Sequence, residues 1–207
     1  MIRAELSGHY REDGRYPFAV VNVTNRCNLA CQHCLQTPLR PRGIATWLDL
    51  GRIQALLQEA LDLDLLASGL NVTGGETFAA GSPVLEVLAM ARDLHIPTRA
   101  NTNAWWGLQR HIRIGPEVFA DDEGVLAALH RCGLGRLAMS LDDRYSQYPE
   151  LLERVIRVAT LCEQRGQSYE FVATGCDPAL VDQVSQRLRQ ACGSLPLHGR
   201  FTPMETV

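Results

Sequence analysis

Three thiols lie within eight residues, at Cys27, Cys31 and Cys34, in the pattern Cys-x3-Cys-x2-Cys. Three thiolates on one loop can hold three irons of a [4Fe-4S] cluster and leave the fourth iron open to a ligand that is not protein. His33, next to Cys34, offers a fourth ligand for a structural zinc, although two adjacent ligands strain a tetrahedral cage. A disulfide framework suits the stretch less well, because three is an odd number and no secretory pattern precedes it. The spacing ranks cluster above zinc and zinc above bridged or incidental thiols, and leaves all three open.

Other residues with chemistry in them are spread along the chain. Thr73-Gly74-Gly75-Glu76 ends a short apolar run in a turn that glycines make easily. Cys176 follows Thr174-Gly175 and precedes a helix start, a position that lowers a thiol pKa. Cys132, Cys162 and Cys192 each continue an apolar helical stripe and are expected to be buried core thiols. Trp105 and Trp106 are placed in a loop, where they would cover a substrate or fill a gap between helices. His111, His130 and His198 have no spacing that suggests a metal.

The elements that would position these residues alternate. Phe18 to Val23 is a nearly continuous apolar run, expected as a strand buried on both sides that feeds the cysteine loop. Thr46-Trp47-Leu48-Asp49 offers a capping box for an amphipathic helix of about four turns, carrying Ile53, Leu56, Leu57, Ala60 and Leu61. Strands are expected at 69–72, 98–102, 136–141, 169–173 and around 195–201. Helices are expected over 83–94, 117–132, 151–165 and from Asp177-Pro178 to Cys192, the last opened by an N-cap followed by proline. Strict alternation of strand and helix predicts a parallel sheet with right-handed crossovers, as an open doubly wound sheet or a barrel. In both, the active site lies at the carboxyl ends of the strands, where the cysteine loop and the Gly-Gly-Glu turn fall.

A chain of 207 residues with 46% hydrophobic and 21% charged content reads as one soluble domain. Residues 1–17 form a polar lead-in and 18–207 the core domain. All 20 basic residues are arginine, which excludes lysine Schiff-base and P-loop chemistry. A net charge of -3 gives no footprint for nucleic acid, and no run reaches the ~20 apolar residues of a membrane span. A cytoplasmic location is expected, where seven cysteines suit metal or catalytic use better than bridges.

Cys27-x3-Cys31-x2-Cys34 after the first strand, with Gly74-Gly75-Glu76 after the second, resembles the radical S-adenosylmethionine superfamily. The resemblance covers most of the chain, from about Phe18 to about Phe201. It implies an α/β fold of the partial (β/α)6 TIM-like barrel type, with parallel strands and open on one side. It also implies a [4Fe-4S] cluster on Cys27, Cys31 and Cys34, with S-adenosyl-L-methionine on the open iron. By the same resemblance Gly74, Gly75 and Glu76 contact the methionine amino group, and His33 packs near adenine. Ser140 and Asp142 match a fourth-strand Ser-x-Asp that reaches ribose or carboxylate. Arg154 is a candidate carboxylate clamp, with an ordinary solvated arginine as its alternative. Asn101 and Asn103 face the same mouth, toward cofactor or substrate.

The implied activity is reductive cleavage of S-adenosylmethionine to a 5'-deoxyadenosyl radical, which abstracts hydrogen from a small-molecule or peptide substrate. An electron donor such as flavodoxin or ferredoxin is the implied partner. Epimerisation, rearrangement, dehydrogenation and peptide modification are all compatible with it. Cys176 is the candidate catalytic thiol, returning a hydrogen atom to a substrate radical. The alternatives are a glycyl-radical-enzyme activase and a non-catalytic iron-sulfur or zinc-binding module. Many peptide-modifying members carry a further cysteine-rich domain, so either a minimal enzyme or a segment of a longer protein is expected.

Overall fold

The computed structural model describes residues 19–31, 34, 49–142, 145, 148–174, 177–193 and 199–204. Short apolar runs become strands and amphipathic stretches become helices, in the order β1 (Ala19–Asn22), α1 (Leu50–Asp62), β2 (Leu70–Thr73), α2 (Val84–Asp93) and β3 (Thr98–Thr102). Next come β4 (Arg110–Ile114), β5 (Glu117–Asp121), α3 (Asp122–Arg131), β6 (Arg136–Asp142), α4 (Pro149–Arg165), β7 (Tyr169–Thr174), α5 (Pro178–Cys192) and β8 (Arg200–Met204). Six strands form one parallel sheet in the order β1-β2-β3-β6-β7-β8. The order never reverses, so the sheet lacks the switch point of a doubly wound fold. No pairing joins β1 to β8 among the described residues, and the sheet is not a closed barrel.

Some expectations are corrected. The helix expected over 117–132 is shorter, because 117–121 is β5, the second arm of an antiparallel hairpin with β4. Ile112, Ile114 and Phe119 alternate into the core, and Gly115 takes φ 57° at the turn, beside the Ser82 carbonyl. Asp121 then caps α3 by accepting from Gly124 N. In α1 the cap is Asp49 itself, accepting from Arg52 N at 2.9 Å, while Thr46 lies outside the described residues. β1 is an edge strand with Val20 55% exposed, not a strand buried on both sides. The last strand is 200–204 rather than around 195–201.

Side chains alternate across a strand, and register carries each face from strand to strand. One face is apolar: Val72, Ala100, Leu137, Met139, Leu141 and Phe171 are buried in a core shared with helix residues such as Val87, Leu88, Leu126 and Val155. Phe171 stacks on Phe201 with centroids 4.8 Å apart and meets Tyr169 edge-on at 5.6 Å. The other face carries Asn22, Asn71, Thr73, Arg99, Asn101, Ser140, Asp142, Glu170 and Thr202, a largely polar surface. Among the described residues no helix is long and apolar enough to cross a membrane.

Candidate functional site

The cysteine loop and the Gly-Gly-Glu turn extend the β1–β2 pairing beyond the strands. Val23 N donates to the Thr73 carbonyl at 2.9 Å, Gly75 N to Thr24 at 2.7 Å and Glu76 N to Arg26 at 2.7 Å. This approach is what requires the glycines. Gly74 has φ 151°, and a Cβ there would strike the Thr24 carbonyl; a Cβ on Gly75 would strike that of Arg26. Thr24 Oγ1 accepts from Arg26 N at 3.0 Å, turning the chain into Cys27. Two motifs nearly fifty residues apart in the sequence thus share one backbone ladder.

Glu76 is 2% exposed. Its Oε1 accepts from Phe78 N at 3.1 Å and from the Thr102 hydroxyl at 2.7 Å, and its Oε2 from Asn103 N at 2.8 Å. Burial pushes its pKa up to about 7, against these three donors, which favour the charged form. Three of the roughly four lone-pair sites of the carboxylate are taken by the protein. The carboxylate therefore clamps the β2 turn to the end of β3.

Cys27, Cys31 and Cys34 are half-buried on the loop after β1, and none is in a disulfide. The Cys27 sulfur accepts from Leu29 N at 3.4 Å, and Cys34 N donates to the Cys31 carbonyl at 3.3 Å. Soft thiol donors, one already facing a backbone N–H, fit an iron-sulfur cluster by type. Among the described residues no three Cys, His, Asp or Glu side chains are gathered as a metal cage. His33 and Cys176, both expected at this site, lie outside the described residues. Tyr145 is 2% exposed, within electrostatic reach of Asp142, Glu76, Cys31 and Cys27. Burial first, and those charges second, push its phenol pKa up and keep it protonated.

The polar face carries a network across four strands. Arg99 on β3 pairs with Glu170 on β7 at 2.5 Å, reaching over β6 where the intervening residue is only Ala138. Arg99 Nη1 also donates to Asn71 Oδ1 at 3.0 Å and Asn101 Oδ1 at 2.6 Å, and Thr202 Oγ1 donates to Glu170 Oε2 at 3.0 Å. Asn101 Nδ2 reaches Thr73 Oγ1 at 3.4 Å, so the Asn101 amide is engaged inside the sheet. Nearer the carboxyl end of β6, Ser140 is exposed on this face and Asp142 is 7% exposed.

The remaining sequence candidates differ in burial and surroundings. Arg154 is half-buried on α4, and its carbonyl lies against Gly107, where a Cβ would come within 2.6 Å. Trp106 is fully buried, edge-on to Phe78 at 6.3 Å, and so belongs to the core; Trp105 is half-buried against it. Cys162 and Cys192 are buried core thiols as expected, whereas Cys132 is only partly buried; burial raises all three thiol pKa values. His111 and His130 are exposed, and His198 lies outside the described residues. Sequence reasoning missed Thr102, Tyr145 and the Arg99–Glu170 pair. Only the strand period could have placed Arg99 with Asn101 on one face.

No known protein-family model matches the chain, and no curated protein matches it.

Proposed function

We propose that the chain is a radical S-adenosylmethionine enzyme, with Cys27, Cys31 and Cys34 as the ligands of a [4Fe-4S] cluster. The observation that carries this reading is the backbone ladder from Val23–Thr73 to Glu76–Arg26, which seats the Gly-Gly-Glu turn directly against the cysteine loop. A scaffold that merely held a metal would have no need of that turn. The fold we propose is a partial (β/α)6 barrel open between β1 and β8. Strands in chain order, with the right-handed crossovers general to parallel units, would put every helix on one face and leave the polar face as the inner wall.

When bound, the cluster and S-adenosylmethionine would supply one-electron cleavage and a radical that takes hydrogen from substrate. The chain's own residues bind and orient. Because Glu76 is engaged from three sides, the backbone carbonyls of the turn are left as the main acceptors for a methionine ammonium. Ser140 and Asp142 lie on the inner wall near its carboxyl end, within the mouth where ribose or carboxylate recognition belongs. The inner wall, with Asn22 and Ser140 exposed and the Arg99–Glu170 pair across it, suits a polar substrate, either a small molecule or a peptide with polar side chains.

Anaerobic reconstitution of the full chain with iron and sulfide tests the proposal. The expected result is about four irons per chain and 5'-deoxyadenosine release from S-adenosylmethionine under reductant, both lost in Cys27→Ala. Tight zinc uptake with no iron would overturn it and favour a zinc-binding module.

A further inference from the structure

Asn103, one residue beyond β3 and 7% exposed, is tied to three other segments of the site. Its backbone N–H donates to Glu76 Oε2 at 2.8 Å. Its Oδ1 accepts from Trp105 N at 3.0 Å, and its carbonyl from the Tyr145 hydroxyl at 3.5 Å. The remaining amide nitrogen, Nδ2, donates at 2.9 Å to Oδ1 of Asn28, the exposed residue that follows Cys27. Asn103 is itself held firmly: Thr102 Oγ1 accepts from Ala104 N at 3.0 Å while donating to Glu76, and Ala104 takes the left-handed φ of 57°. A fixed β3 end therefore reaches across to the segment between the first two cysteines.

We infer that Asn103 is a positioning residue for the cysteine loop, holding the Cys27–Cys31 segment in place through Asn28. The residue type follows from the bonds required. The side chain must accept from Trp105 N and donate to Asn28 at once, which a primary amide does and a carboxylate, which only accepts, does not. The ladder to Thr24 and Arg26 anchors the chain up to the first cysteine, and the Asn103–Asn28 bond continues that anchoring beyond it. What the loop is for rests on the proposed function; that Asn103 orders it does not.

Hydrogen–deuterium exchange of the amides at 27–31 in the metal-free full-length chain decides the matter. Asn28→Ala and Asn103→Ala should each speed exchange about five- to tenfold, as expected for the loss of one hydrogen bond. The double variant should be no faster than Asn103→Ala alone, because both remove the same bond. Asn28→Asp keeps the acceptor and should exchange like the wild type. Unchanged exchange in Asn28→Ala, or exchange as fast in Asn28→Asp, overturns the inference. If Asn103→Ala does not fold, the Asn28 pair decides alone, since that side chain is exposed. In the reconstituted protein the electron paramagnetic resonance spectrum of the reduced cluster should broaden in Asn28→Ala and sharpen again in Asn28→Asp. A wild type that takes up no iron would defeat the proposed function and leave the exchange result standing.

Discussion

The two faces of the six-stranded sheet are made from alternate residues of the same strands, and they are held in different ways. On the helix-covered face Val72, Ala100, Leu137 and Phe171 are packed among helix side chains, and their burial gives most of the stability. On the opposite face Arg99, Asn101, Glu170 and Thr202 are held by directed bonds, and Ser140 is left exposed. The first face needs volume to be filled. The second needs partners to be met.

Adjacent residues on β7 test this contrast most strongly. Phe171, 1% exposed on the apolar face, should cost about 3–5 kcal/mol when cut to alanine, while its half-buried neighbour Val172 on the polar face should cost about 1 kcal/mol or less. Urea unfolding of the two variants measures the difference, and equal costs would abolish the distinction between the faces.

Arg99→Ala should come next, at roughly 3 kcal/mol, because it takes the Arg99 partner from a carboxylate that is fully buried. Replacing both partners with methionine should recover part of that loss, since no buried charge is then left unpaired while Asn71, Asn101 and Thr202 still lose their bonds. A double variant as unstable as the single would mean that the network is required as a whole.

Glu76 lies just beyond the carboxyl end of β2, bonded to the end of β3. Its folded pKa, about 7, is above the ordinary 4.5. Stability from this group is therefore fully present below about pH 4.5 and is lost as pH rises through about 7, by roughly 3 kcal/mol in all. Unfolding followed from pH 5 to pH 8 should show this decline in the wild type and not in Glu76→Gln. A flat wild-type profile would mean that the donors from Phe78, Thr102 and Asn103 outweigh burial. The smallest effect on stability is expected from Ser140→Ala, within about 0.5 kcal/mol. Its effect should fall on S-adenosylmethionine or substrate binding instead, measured as a raised Kd in the reconstituted protein.

Much of the fold was legible because helix and strand periods are local. The Asp177 cap with Pro178, and the runs 98–102 and 136–141, carry their own signals and lie within a residue of where those signals place them. The second arm of the hairpin, β5, reads in sequence as the start of a helix, because Glu117 leads without a break into the apolar stripe of α3. Its own signal, Gly115-Pro116 between the alternating Ile112, Ile114 and Phe119, is short and weak. Trp105 and Trp106 could not be told apart in sequence; their different burial depends on Phe78, which comes from another loop.

Sequence by itself determined the alternating α/β plan, the clustering of three thiols after the first strand, and a glycine pair after the second. Spacing and period along the chain suffice for these. The tertiary structure decided why the glycines are there, namely that two backbones approach too closely for a Cβ at Gly74 or Gly75. It also decided that Glu76 is a clamp, that Arg99 meets Glu170 across an alanine, and that Asn103 reaches Asn28. Those are contacts between residues distant in sequence, set by register and strand order, and no local pattern of residues encodes them.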